Sequence, residues 1–196
     1  MKYLMEWKTD MKKEIKLPKD RIGAFVGKNG NTKKDIENKF GVKLTVNSAT
    51  GLISVIDINS DYQFFKLTHF ISAVGSGFSP ERAFRLISDD EILLKLDLKE
   101  YSGKSVNSLN RIKGRIIGLN GKTRTIIEDM TNTYVSIYRH YVSILGGYNE
   151  TKLALESIKL LASGSPHKVI YSMLESYRSK IKNNKILLWE ENKIIE

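Results

Sequence analysis

Gly118 and Gly121 bracket Leu119 and Asn120 in the stretch Arg111–Glu128, RIKGRIIGLNGKTRTIIE. Apolar residues precede the bracket (Ile112, Ile116, Ile117) and follow it (Ile126, Ile127) at helical spacing, so the stretch reads as helix, tight turn, helix. Five basic residues, Arg111, Lys113, Arg115, Lys122 and Arg124, come before Glu128 with no acid among them. Glycines let a foreign backbone come close. The helix that starts behind them points free N–H groups and a partial positive charge at whatever lies there. Residues of these types at this spacing hold phosphate.

The chain carries the device twice. A shift of 91 positions lays Arg21–Glu37 (RIGAFVGKNGNTKKDIE) over Ile112–Glu128 without a gap. Seven pairs are identical: Gly23/Gly114, Gly27/Gly118, Asn29/Asn120, Gly30/Gly121, Thr32/Thr123, Ile36/Ile127 and Glu37/Glu128. Four of the seven are not glycine, so the likeness exceeds shared turn composition and indicates a repeated structural unit.

Elements that would position the two brackets follow in matching order. In the first half, Glu14–Leu17 alternates as a strand, and Pro18 ends it. Asp20 is placed to cap a short helix, Arg21–Val26. A second helix spans Asn31–Lys39 and stops at Gly41. Lys43–Asn47 and Leu52–Ile58 are strands about the turn Ser48–Gly51, and Tyr62–Val74 is the closing helix. Gly75–Pro80 reads as a linker and Glu81–Ser88 as a short bridging helix. In the second half, Glu91–Leu98 is a strand and Lys99–Leu109 is polar and turn-rich. After the bracket come strands Tyr134–Tyr138 and Tyr141–Leu145, joined by a tight Arg139-His140 turn. Gly146-Gly147 reads as a break before the closing helix Asn149–Ala162. Pro166 opens one more helix, running to about Lys180, with Ile170, Met173, Leu174 and Tyr177 on one face; it packs across the second domain or between the two. The tail from Ile181 holds an apolar patch, Ile186–Trp189. The expected division is residues 1–78, a linker at 79–89, a second domain at 90–165, and a helix with tail at 166–196.

Bulk properties narrow the classes. A chain of 196 residues whose repeats imply domains of about 80–90 residues can bury two small cores. There is no cysteine, which removes disulfides, thiolate metal sites and cysteine nucleophiles and fits a cytoplasmic protein. No run approaches the roughly 18 apolar residues of a membrane span, and the first residues, MKYLMEWKTDMKKE, do not read as a secretory signal. The net charge of +10 favours a polyanionic partner. Its placement strengthens the point: Lys12–Lys43, around the first bracket, holds ten basic and four acidic residues.

The order strand, helix, GxxG, helix, strand, strand, helix, with Ile-Gly-x-x-x-Gly-Lys-x-Gly at Ile22–Gly30, resembles the KH domain of the eukaryotic-type topology. The second copy goes further. GRIIG from Gly114, Gly-Lys-Thr-Arg from Gly121, Tyr-Val-Ser-Ile-Tyr from Tyr134, and Gly-Ser-Pro-His from Gly164 look like the archaeal small-subunit rRNA-processing KH family, related to the eukaryotic partner-of-Nob-one factors. The resemblance implies an α+β fold of two tandem type I KH domains, βααββα each, with a C-terminal helix. It implies binding to single-stranded RNA near the 3′ end of small-subunit rRNA. The implied protein partners are a maturation endonuclease or the alpha subunit of initiation factor 2.

A KH loop clamps the backbone of about four single-stranded nucleotides. By that resemblance Gly27, Lys28, Asn29 and Gly30 form one clamp, and Gly118, Leu119, Asn120 and Gly121 the other. Lys28 offers charge to a phosphate, with Lys33 beside it. Ile22, Phe25 and Val26, and in the second copy Lys113, Gly114, Ile116 and Ile117, occupy the helix wall of the groove, although any of the apolar ones serves a core equally well. Val42–Val46 and Thr133–Ile137 supply the opposite wall. Arg111, Arg115, Lys122 and Arg124 follow the sugar-phosphate chain, with a solvated face the alternative for Arg115 and Lys113. Leu119 departs from the pattern, in which a charged residue is common; either Leu119 rests under a base, or this copy relies on Lys122 and Arg124.

Other readings are weaker. Gly121-Lys122-Thr123 looks like the end of a P-loop, but that motif requires glycine where Ile116 stands, and a strand before the loop. No enzyme and no cofactor are expected. His140 and His167 lie far in sequence from acids, so no metal site is expected, and His167 reads as a local cap. A scaffold in which one KH copy binds protein is compatible with the RNA reading. An exosome-cap subunit would need an additional five-stranded barrel, for which no strands remain.

Overall fold

The computed structural model describes residues 13–58, 60–103 and 105–194, with side chains as far as Lys180. The chain divides into two compact units, meeting in sequence at Ile87 and Ser88.

The first unit runs β1 (Lys13–Lys16), α1 (Ile22–Val26), α2 (Asn31–Phe40), β2 (Lys43–Asn47), β3 (Leu52–Ile56), α3 (Asp61–Gly75) and α4 (Pro80–Ala83). Its sheet has the antiparallel order β1-β3-β2, so β2 is an edge strand. Register pairs Ile15 with Ile53 and Leu44 with Val55. Alternation along β2 buries Leu44 and half-buries Val46 on the face that meets the helices. Phe25, Ile36, Ile53, Leu67, Phe70 and Val74 are fully buried. The Phe70 ring touches Phe40 and Phe84 at centroid distances of 5.4 and 4.9 Å. α3 starts where Ser60 accepts a hydrogen bond from the Gln63 amide. Lys13 Nζ lies 2.6 Å from Asp61 Oδ1 and holds that carboxyl below its usual range, tying β1 to the head of α3.

The second unit runs β4 (Glu91–Asp97), α5 (Lys99–Ser102), α6 (Val106–Ile117), α7 (Lys122–Thr131), β5 (Tyr134–Tyr138), β6 (Tyr141–Gly147), α8 (Tyr148–Ala162) and α9 (His167–Ile194). Its sheet order, β4-β6-β5, repeats the first, with β5 at the edge. The core joins Ile112, Ile116, Ile127, Val135, Ile144, Ile158 and Leu161 to Ile170 and Leu174 of α9. α9 therefore packs within this unit, on α7 and α8.

Both units show the βααββα order of two type I KH domains, the second followed by a C-terminal helix. Several local expectations change. α1 continues from a single 3-10 turn at Lys19–Arg21, so Asp20 lies inside that turn and is not the cap. β3 ends at Ile56, before Asp57 turns to a φ of 62°. Gly75–Phe78 is not a solvated linker: Phe78 is buried and its carbonyl accepts from Arg21. Pro80–Ala83 forms a helical turn capped by Ser79, and Phe84–Ile87 continues it as 3-10, both within the first unit. Lys99–Leu109 is mostly helical, because Ser105 caps α6 a full two turns earlier than its counterpart in the first unit begins. Gly146 and Gly147 end β6 instead of breaking it; Gly146 lies where a Cβ would meet the Thr133 side chain at 2.8 Å. α9 continues to Ile194, past the expected end near Lys180. The side chains of Ile186–Trp189 lie outside the described residues, as does the N-terminal stretch 1–12. No described helix is long and apolar enough to cross a membrane.

Ile127 has no exposed surface and belongs to the second core. Ile127→Ala is expected to destabilise the second unit by about 2–5 kcal/mol, read as a lowered urea midpoint.

Candidate nucleic-acid interface

The two brackets adopt one backbone conformation. Gly27 and Gly118 have φ/ψ of 74°/178° and 72°/176°, a region essentially reserved for glycine. Asn29 (φ 54°) and Asn120 (φ 50°) are left-handed, which asparagine tolerates better than most residues. Gly30 and Gly121 are left-handed too, at φ 75° and 79°.

The glycines differ in their surroundings. A Cβ on Gly27 would collide with Oγ1 of Thr32 and stand 2.6 Å from its Cβ; on Gly118 it would collide with Oγ1 of Thr123 and stand 2.8 Å from its Cβ. The first glycine of each loop thus rests on the threonine of the following helix. Nothing lies within 4 Å of a Cβ on Gly30 or Gly121, so the last glycine faces open space.

The pair Glu37/Glu128 connects each loop helix to its edge strand. Glu37 Oε1 accepts from the Leu44 amide on β2 at 2.7 Å, and Glu128 Oε1 accepts from the Val135 amide on β5 at 2.7 Å. This fixes the helix that follows each loop against the strand wall. Val26 and Ile117 at the loop entry, and Val46 and Ile137 on the edge strands, are half-buried.

The expected contact residues divide by environment. Lys28, Arg111, Leu119, Asn120 and Lys122 are exposed, and Leu119 is 84% exposed. Lys113 is half-buried. Lys33 pairs with Glu37 at 3.5 Å, and Arg124 with Glu128 at 3.7 Å, so these two cations already neutralise the carboxylates that hold the edge strands. Ile22 is 7% exposed and belongs to the first core, unlike a groove residue open to a ligand. Arg115 departs furthest from expectation. Its Nε donates to the Leu161 carbonyl at 3.1 Å and its Nη2 to the Ser165 carbonyl at 2.6 Å, closing the C-terminal end of α8. Arg21 does the same for α3, donating to the carbonyls of Val74 (2.9 Å) and Phe78 (2.6 Å). The two arginines are not repeat partners; Arg115 aligns with Ala24, one helical turn away.

The segment before the second loop is α6 and not a strand, which is not the setting of a P-loop. Among the described residues no cluster of three His, Asp or Glu could hold a metal ion. The fold does bring Asp97 Oδ2 to 3.6 Å from His140 Nε2. His167 does not bond locally; its Nε2 donates to the Arg115 carbonyl at 3.0 Å.

Gly23 is not among the expected contacts, although its pairing with Gly114 signals it. Both are helical and exposed, and nothing lies within 4 Å of where their Cβ atoms would be. Glycine inside a helix costs about 1 kcal/mol against alanine, and among the described residues no contact on the side-chain side of either position offsets that.

Gly118→Ala is expected to cost about 1–3 kcal/mol for its backbone region alone, with crowding against Thr123 in addition. Gly121→Asn should stay within about 1 kcal/mol, since asparagine accepts the left-handed region. Urea unfolding of the two variants checks the order; equal losses would contradict the packing described.

Comparison with known proteins agrees with this geometry. Residues 93–179 match the eukaryotic-type (type I) KH domain profile of the second PNO1 domain, which reaches into α9, and residues 12–61 match a KH domain. A KH domain-containing protein of Methanocaldococcus jannaschii is 37% identical over 185 residues, 93% of this chain and 81% of that one. The pre-rRNA-processing protein PNO1 of Yarrowia lipolytica is 34% identical over 118 residues; the match takes in 60% of this chain and 46% of the yeast protein, so it spans under half of that relative. Dim2p of Pyrococcus horikoshii, solved in a complex with a/eIF2alpha and rRNA, superposes with a TM-score of 0.80 at 38% identity, covering 89% of this chain and 98% of that one. With both loops in place and this identity over most of both archaeal proteins, the chain belongs to the family of two-KH-domain proteins that includes the Methanocaldococcus KH protein, Dim2p and PNO1.

Proposed function

We propose that this chain is an RNA-binding factor of pre-rRNA processing, without catalysis of its own, that grips single-stranded small-subunit rRNA at its 3′ end. The observation that carries the reading is the exposed glycine of each loop-entry helix. Gly23 and Gly114 carry a folding cost in both copies, beside loops whose last glycine is also open. A surface kept free of side chains twice, from the loop-entry helix to the head of the helix that follows, with exposed Lys28 or Lys122 in that stretch and Arg111 one turn before Gly114, suits close approach of a sugar-phosphate backbone. Bases would then lie over Val26 and Val46, or Ile117 and Ile137. The rRNA in the Dim2p complex supports the ligand class, and a/eIF2alpha in the same complex supports the initiation factor 2 alpha subunit as a protein partner. A maturation endonuclease is a further proposed partner.

Leu119 favours a second reading of its loop. An aliphatic side chain 84% exposed at the tip is suited to an apolar protein contact, and that loop would then dock a partner.

Gly114→Leu separates a ligand role from a folding role. It is expected to leave stability unchanged or raise it by up to about 1 kcal/mol, while RNA affinity falls at least tenfold. A stable variant that binds as wild type removes this basis for the reading.

The ligand is tested with an oligonucleotide matching the 3′ end of small-subunit rRNA, against a scrambled control, over a salt series. Log affinity should fall by about 0.7 per neutralised phosphate for each log unit of salt. Lys28→Asp/Asn29→Asp and Leu119→Asp/Asn120→Asp, each checked for folding, assign the loops. Equal binding of the scrambled strand rejects the 3′-end assignment, and a salt-insensitive complex through Leu119 identifies the protein dock. Magnesium-dependent ATP hydrolysis is expected to be absent; activity abolished by Lys122→Ala would overturn the non-catalytic reading.

A further inference from the structure

α9 touches the second loop from both of its sides. Before the loop, α6 ends at Ile117 with Gly118 as its cap, and its last carbonyls have no helical partner. The carbonyl of Arg115 is one of them, and His167 Nε2, in the first turn of α9, donates to it at 3.0 Å. After the loop, Thr123 supports Gly118 from below. Thr123 is buried, and its hydroxyl meets the Tyr171 hydroxyl, one turn further along α9, at 3.1 Å. That bond engages the Thr123 rotamer whose Oγ1 occupies the space Gly118 leaves vacant, the placement Thr32 also has beneath Gly27. The Arg115 side chain closes the circuit, because it holds the carbonyls of Leu161 and Ser165 immediately before α9. Ile170 and Leu174, both without exposed surface, seat α9 on the core.

The first unit has the same glycine on the same threonine, Gly27 on Thr32. Among its described residues no aromatic hydroxyl reaches Thr32. Among the described residues the two loops share one backbone conformation but not one support.

We propose that Tyr171 and His167 are positioning residues for RNA at the second loop: α9 pre-organises Gly118–Gly121 for its ligand, so this loop binds with less ordering cost than an unbraced one. The inference rests on the RNA reading of that loop, and its test has an arm that does not.

The variant is Tyr171→Phe in the full chain, which removes one oxygen and keeps the half-buried ring. Amide hydrogen exchange at residues 118–121 is expected to accelerate, while exchange in β4, β6 and α8 and the thermal midpoint stay near wild type. Affinity for the single-stranded oligonucleotide is expected to fall about three- to tenfold, the range of one hydrogen bond's net contribution. Thr123→Val should produce the same two effects, and the double variant no more than either alone, since all three remove one bond. Tyr177→Phe, on the same helix but away from the loop, should change neither. Unchanged loop exchange in Tyr171→Phe overturns the brace whatever RNA does. Faster exchange with unaltered affinity overturns its role in binding. If wild type binds no RNA while Leu119→Asp/Asn120→Asp also changes nothing, the RNA reading fails and the positioning role with it, whereas the exchange arm still decides whether α9 supports the loop.

Discussion

Each loop depends on one steric constraint: a glycine lying directly on a threonine. At Gly27 and Gly118 the backbone takes a conformation that side chains forbid, and it does so where a side chain would have no room. The two demands reinforce each other. The threonine, five residues further on, sits in the first turn of the following helix, so the contact sets where that helix starts and which way its N–H groups point. Asn29/Asn120 and Gly30/Gly121 complete a turn with three positive-φ residues out of four. The outer face of that turn is left bare.

The remainder of each unit holds the turn against a sheet edge. Glu37 and Glu128 reach one amide each on β2 and β5, and the adjacent cations, Lys33 and Arg124, balance their charge. A charge-assisted bond of this kind at 2.7 Å is stronger than a neutral one. It holds the helix after the loop to the edge strand that carries half-buried Val46 or Ile137. On the far side, Arg21 and Arg115 satisfy carbonyls at the ends of α3 and α8 and lock each closing helix to the helix that enters the loop. Basic residues around the loops therefore do two jobs. Lys28, Arg111 and Lys122 face outward, while Arg21 and Arg115 hold the fold.

The copies have diverged around a common centre. The first has a single five-residue turn of helix before its loop, and a charged tip at Lys28; the second has twelve residues of α6, an aliphatic tip at Leu119 and the added helix α9. Length before the loop and support behind it changed together, whereas the six identical positions from Gly27/Gly118 to Glu37/Glu128, together with Gly23/Gly114, did not.

The sequence by itself determined the repeated unit, the order of its elements and the loop backbone. Glycine and asparagine at fixed spacing specify φ locally, and apolar periodicity specifies which face is buried, so neither needs knowledge of distant residues. It also exposed Gly23/Gly114 and Glu37/Glu128 as paired positions, without saying what they do. Only the tertiary structure decided the partners. Arg115 looks like one more cation in a basic run, and its role depends on carbonyls 46 and 50 residues away. Ile22 follows the groove pattern, yet the packing of α1 places it in the core. Tyr171 and His167 carried no signal toward the loop, because their partners lie 48 and 52 residues back and meet them only once α9 is seated on α7. Conformational preference is written residue by residue, whereas hydrogen-bond partnership is set by the geometry of the closed chain.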